Sequence, residues 1–132
     1  LSEVTPDKKV IRLVVRVLIS GPAKEESVKA KVDTGADRTT VSRVLARRLG
    51  LRPTGSKITV KVSAGHKIEK RSLVKGRITL KGKTFRLSLG VADRSQMRYP
   101  LIIGRDILRS GEFLIDPTRR PKPADSPTKA SA

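Results

Sequence analysis

The chain has 132 residues, the length of one ordinary domain, and carries 30 Lys and Arg against 12 Asp and Glu, a net charge of +18. Hydrophobic residues at 36% exclude wholesale disorder, and aromatics at 2% leave the core to Val, Ile and Leu. The absence of Cys excludes disulfides, thiol catalysis and Cys-ligated zinc, and His66 is too little for a His-based metal site, so no metal or cofactor is expected.

Residues 1–9 are polar and read as an N-terminal arm. Along residues 10–19, Ile11, Leu13, Val15, Val17 and Ile19 alternate with a row containing Arg12 and Arg16, the period of a strand. After a turn over residues 20–26, Val28, Ala30 and Val32 alternate with Lys29 and Lys31 in a second strand that runs into Asp33. Ser42 is placed to cap a short helix carrying Val44, Leu45 and Leu49, with Gly50 as its stop. Three strands follow. The first carries Ile58, Val60 and Val62, a longer one runs through Leu73, Ile78 and Leu80, and the third carries Phe85, Leu87, Leu89 and Val91. Lys81-Gly82-Lys83 is a hairpin turn, and Ser63-Ala64-Gly65-His66 a second hairpin tip. Leu101-Ile102-Ile103 reads as a short buried strand, residues 106–109 as one or two helical turns ended by Gly111, and Phe113-Leu114-Ile115 as a last strand.

Residues 117–132 hold four Pro and no Ile, Leu, Val or Phe, so they read as a flexible basic tail. The expected organisation is an arm (1–9), an all-β domain with two short helices (10–116) and the tail (117–132). The most apolar stretch, residues 13–19, is broken by Arg16 and falls far short of the ~20 residues that span a bilayer. No apolar h-region of a secretory signal is visible, so the expectation is a cytoplasmic protein with no membrane partner.

Chemistry concentrates in two places. In Val32-Asp33-Thr34-Gly35-Ala36-Asp37 a carboxylate ends an apolar strand, a small hydroxyl residue follows, and a Gly permits a tight turn. That puts Asp33 at the rim of the core, where its pKa can be tuned. Alone, this run is also what an ordinary turn after a strand would show. The second stretch, Leu101-Ile102-Ile103-Gly104-Arg105-Asp106-Ile107-Leu108, is an apolar strand, a Gly, and a basic residue opening a helix.

Together the two stretches resemble the retropepsins, the single-domain aspartic proteases, in which an Asp-Thr-Gly loop lies beside a strand ending in two hydrophobic residues, Gly and Arg. The resemblance implies a closed acid-protease barrel that works as a homodimer. Asp33, Thr34 and Gly35 would be the catalytic loop, and Gly104 and Arg105 would support it, with Arg105 pairing to Asp37. Ala36 and Asp37 would also touch substrate. The hairpin of Ser63, Ala64 and Gly65 takes the place of the retropepsin flap, with His66 as an exposed turn residue.

The run from Asp93 to Pro100 and Phe113-Leu114-Ile115-Asp116-Pro117 resemble more closely the RimB-type family, called "ATP-dependent zinc protease" and associated with RimK-like glutamate ligases. That resemblance implies proteolysis of oligoglutamate tails, for example on a small-subunit ribosomal protein. The run Asp37-Arg38-Thr39-Thr40, however, is nearer the viral retropepsins. Neither a His-Glu-x-x-His run nor a phosphate-binding Gly-Lys-Ser/Thr loop is present, so neither zinc nor ATP is expected.

Aspartic chemistry needs two carboxylates, and two-fold association would bring two copies of Asp33 together. Lys57, Lys61, Lys67, Lys70 and Arg71 cluster around the expected flap, where Lys61 and Lys67 would bind an acidic peptide. The same charge would equally serve solubility, or hold the protein near the ribosome or a ligase. Without an aromatic platform, base stacking is not expected. Two functions follow: a homodimeric aspartic peptidase acting on acidic or glutamate-tailed proteins, or an idle retropepsin-like module that binds RNA or another polyanion.

Overall fold

In the computed structural model, which describes residues 8–62, 67–92 and 97–118, the alternating rows become strands. In chain order the elements are β1 (Val10–Ile11), β2 (Val14–Ser20), β3 (Glu25–Val32), β4 (Thr40–Ser42), α1 (Arg43–Leu49), β5 (Arg52–Val62), β6 (Lys67–Leu80), β7 (Lys83–Ala92), β8 (Leu101–Ile103), α2 (Arg105–Ser110) and β9 (Leu114–Ile115). The main sheet has the order β2-β3-β8-β4-β7-β6-β5, and a further pairing of β2 with β6 closes six of these strands into a barrel. The architecture is thus mostly β with two short helices, as expected from the alternation.

Closure depends on β6, which serves two partners in turn. Residues 67–75 pair with β5, and residues 77–79 pair with β2. Strand β5 therefore leaves the barrel as a leaf, which β6 carries over the loop that follows β3. Inside, Val15, Val17, Ile19, Ala30, Ile78, Leu80, Leu89, Leu101 and Ile103 are buried, with Leu45 and Leu49 of α1 and Ile107 of α2 sealing the core. Each buried Val, Leu or Ile side chain contributes about 1.5–3 kcal/mol by leaving water, which is how a nearly aromatic-free chain holds together. Phe113 is buried and meets Phe85 at 6.1 Å between ring centres.

Local signals behave as their chemistry demands. The Ser42 hydroxyl accepts from the Leu45 N–H at 3.1 Å, and Gly50 ends α1 at φ +69°. Lys81 and Gly82 both take positive φ, 52° and 79°, the twist that a two-residue hairpin between right-twisted strands requires.

One expectation is corrected. Residues 10–19 do not form one strand but split into β1 and β2 around Arg12 and Leu13, and Leu13 is 46% exposed. The chain turns there because two sets of backbone bonds compete. Val10 and Ile11 pair in parallel with Leu114 and Ile115, whereas the Leu13 carbonyl already accepts from Val32 N–H at 2.8 Å. Ile11 stays buried through the bend, so the alternation gave no sign of it. Strand β4 also went unread, and β5 and β6 reach further than their apolar residues mark. No helix among the described residues is long and apolar enough to cross a membrane.

Candidate active site

Asp33 stands where β3 ends. Its N–H donates to the Ile103 carbonyl of β8 at 2.9 Å, so the parallel pair β3–β8 fixes its height on the barrel. One Asp33 carboxylate oxygen accepts from the Gly35 N–H at 2.9 Å, and the Asp33 carbonyl accepts from Ala36 N–H at 3.2 Å. A Cβ on residue 35 would lie 3.2 Å from that carboxylate oxygen, so Gly35 leaves the acid its place.

The second stretch latches this loop from 71 residues away. Arg105 donates one guanidinium N–H to the Thr34 carbonyl at 2.6 Å and another to the Asp37 carboxylate, while its backbone N–H donates to the Ala36 carbonyl at 2.8 Å. Gly104 lets the strands come this close: a Cβ there would sit 2.6 Å from the Arg38 carbonyl carbon and 2.8 Å from its oxygen. Beneath the loop, the buried Thr39 hydroxyl accepts from Gly104 N–H at 3.0 Å and donates to Asp106 at 2.6 Å, and Thr39 N–H donates to the other Asp106 oxygen at 2.9 Å. Sequence reasoning missed both Thr39 and Asp106. The signal available was a Thr two residues beyond Asp37 and an Asp directly after Gly104-Arg105, but nothing local pairs them.

The Asp33 carboxylate opens on a cavity of about 520 Å³. Its floor is the loop from Asp33 to Arg38 with Thr40 and Ile102, and its roof is Ile58, Thr59, Val60 and Lys61 of β5 with Arg71 of β6. Asp37 is taken up by Arg105, and among the described residues no cation lies within ion-pair distance of Asp33. The cationic groups on the walls are Arg38, Lys61 and Arg71. Arg38 donates to the Ser88 carbonyl at 3.3 Å, and Arg71 to Glu69 at 3.3 Å. The arrangement can therefore offer a peptide a carboxylate beside a cleft with positive walls.

Of the residues singled out from sequence, Asp33, Gly35, Ala36, Asp37, Lys61 and Arg71 line the cavity, and Thr34 is exposed on the same loop. Lys57 and Lys70 are exposed on the β5–β6 leaf, and Lys67 opens β6 opposite Val62. Ser63, Ala64, Gly65 and His66 lie outside the described residues. Arg38 was not singled out. No group of three metal-binding side chains occurs among the described residues.

Residues 19–110, most of the chain, match the family described as "gag-polyprotein putative aspartyl protease". The chain belongs to that family. Its retropepsin-like barrel is also found in solved structures. The EIAV protease complexed with the inhibitor HBY-793 is 25% identical, with a TM-score of 0.57 over 78% of this chain and 90% of that one. A retropepsin-like aspartic protease from Rickettsia conorii is 20% identical, with a TM-score of 0.50 over 72% of this chain and 69% of that one. A Legionella pneumophila protein of unknown function is 20% identical, with a TM-score of 0.57 over 84% of this chain and 95% of that one. The last two likenesses are of fold. A search of curated proteins gave no match. The retropepsin-like family match contains both the Asp33 loop and the Gly104-Arg105 latch, whereas β1 and β9 lie outside it.

Proposed function

We propose that the chain is a homodimeric aspartic peptidase of RimB type, hydrolysing peptide bonds in acidic tails. Oligoglutamate added to a small-subunit ribosomal protein by a glutamate ligase, in the cytoplasm, would be such a substrate. The observation that carries this reading is the Asp33 carboxylate, without an ion-pair partner among the described residues, in a cavity that Arg38 and Lys61 also line, with Arg71 held there by Glu69. In the dimer two Asp33 side chains share a proton, because two close carboxylates do not both ionise. The ionised one takes a proton from water, and the oxygen attacks the scissile carbonyl. The protonated one donates to the carbonyl oxygen, giving a tetrahedral intermediate that collapses with loss of the amine. Thr34 braces the paired loops, Gly35 leaves room for the substrate backbone, and Ala36 and Asp37 bind it. Ser63, Ala64 and Gly65, which lie outside the described residues, are assigned to substrate contact in this reading, and Lys61 and Lys67 to attracting an acidic peptide.

Self-association has a surface to use. Val10, Leu13 and Leu114 are 50%, 46% and 43% exposed, and Val10 and Leu114 are register partners in the β1–β9 ribbon. Such apolar exposure on adjacent elements is what a partner covers. Specific activity is therefore expected to fall on dilution through the dimer dissociation constant, and Leu114→Glu to raise that constant by tenfold or so. Analytical ultracentrifugation run beside the assay checks both, and a chain that sediments as a monomer while cleaving at full rate rules the dimer out.

The acidic-substrate reading is tested with matched peptides bearing Glu, Gln or Lys tails at low and high salt. The Glu peptide is expected to be cleaved fastest, by roughly tenfold at low salt, with the preference shrinking as salt rises. Lys61→Glu should remove most of that preference while leaving the Gln peptide little changed. Equal rates on all three peptides at low salt would leave a general peptidase. The idle, polyanion-binding alternative predicts no cleavage of any of them.

A further inference from the structure

A second cationic site lies on the outer face of the barrel, away from Asp33. In the β5–β6 register Arg52 stands opposite Lys75, and in the β6–β7 register Arg77 stands opposite Arg86. All four residues are exposed, and among the described residues none has a carboxylate within ion-pair distance. Like charges placed directly across a ladder destabilise it. Solubility does not call for such placement, because dispersed charges serve it as well. Two adjoining like-charged pairs therefore concentrate positive charge on one stretch of the sheet, which an anionic ligand would relieve.

The face also has a receptacle. Beside these cations is a shallow pocket of about 290 Å³, lined by Ser20 at the end of β2, by Gly21 and Pro22 of the turn that follows, and by Lys75, Arg77 and Arg86. None of these residues lines the Asp33 cavity.

We propose that this face binds the sugar-phosphate backbone of a nucleic acid, without regard to base sequence. The planar fork of an arginine matches the oxygens of a phosphate, and two facing arginines flanked by Lys75 and Arg52 present successive anchors for a chain of them. Proteins dock instead through buried apolar or aromatic anchors inside a polar rim. The exposed side chains lining the pocket are Arg, Lys and Pro, with no such anchor, and the Glu25 carboxylate beside it accepts from the Ser20 hydroxyl at 3.0 Å. The lack of an aromatic platform directs binding to the backbone rather than to bases. The inference stands on the sheet register and holds whether or not the chain cleaves peptides.

The test is fluorescence anisotropy with a labelled oligouridylate of about 20 nucleotides, longer than a single site of this kind, titrated across a range of salt. Arg77→Ser with Arg86→Ser is compared with the parent and with Arg47→Ser together with Arg109→Ser. The second pair of arginines lies exposed on α1 and α2, so it makes the same change in net charge elsewhere. With each of the two arginines holding one phosphate, the face variant should bind about 25-fold more weakly at 0.1 M salt, and its log–log salt slope should fall by about 1.4. The control should bind no more than about threefold more weakly, as expected from net charge alone. The face variant should also melt no lower than the parent, since the substitution removes repulsion. Equal weakening in the two variants would overturn the proposal and leave only a diffuse basic field. Displacement of the oligonucleotide by polyglutamate at equal charge concentration would overturn it in favour of an acidic protein partner.

Discussion

Asp33→Asn is expected to lower peptide hydrolysis by at least about 10³-fold while the barrel melts as the parent does. The two halves of that result have separate causes. An Asn at this position keeps the oxygen that accepts from Gly35 N–H at 2.9 Å, and the backbone bond from residue 33 to the Ile103 carbonyl is untouched. What is lost is the carboxylate that takes and gives a proton in the proposed reaction. Both members of the pair in the proposed dimer would then be amides, able neither to take a proton from water nor to give one to the carbonyl. Mass spectrometry of a glutamate-tailed protein incubated with each chain reads the activity, and circular dichroism reads the melt. Undiminished cleavage by Asp33→Asn would end the aspartic mechanism. Activity that survives in the parent only until a zinc chelator is added would point to a metal instead.

Alone, the run at Asp33 reads as an ordinary turn, and Asp33 and the Gly104-Arg105 latch were legible because two local runs together resemble the retropepsins. A Gly follows the acid where the loop must turn without crowding its carboxylate, and another opens α2 where a Cβ would strike the Arg38 backbone. Strands with period two were legible because one face of each is buried. What stayed hidden depends on register between distant segments. The bend at Arg12 and Leu13 leaves the alternating row intact, because the residues on either side, Ile11 and Val15, are both buried. Arg38 looks like a loop cation until the β5 leaf is seen to roof it into the Asp33 cavity. The like-charge pairs Arg52–Lys75 and Arg77–Arg86 exist only once β5, β6 and β7 are aligned, and each strand alone shows merely an exposed basic residue. Thr39 and Asp106 are 67 positions apart and become partners only through the β4–β8 pairing.

That last pair carries the largest stability effect expected here. The Asp106 carboxylate accepts three bonds: from the Thr39 hydroxyl at 2.6 Å, from Thr39 N–H at 2.9 Å and from Ile107 N–H at 2.8 Å. Thr39 is wholly buried, so water does not replace what an Ala at position 106 removes. A bond to a charged acceptor contributes about 1.5–3 kcal/mol, and each buried donor left unpaired adds a penalty of its own. Asp106→Ala should therefore cost roughly 3 kcal/mol and lower Tm by about 10 °C. Thr39→Val should cost less, about 1–2 kcal/mol, because it strands Gly104 N–H but leaves the Asp106 bonds to both backbone amides. The double variant should cost less than the two single losses combined, because both remove the same hydroxyl–carboxylate bond. The functional consequence follows from position. Thr39 and Gly104 hold the strand end against which Arg105 latches the Asp33 loop, so Asp106→Ala should lose activity at temperatures where it is still folded, through a poorly placed Asp33. A variant that melts within about 2 °C of the parent, at full activity, would mean that the barrel holds the Asp33 loop without this carboxylate.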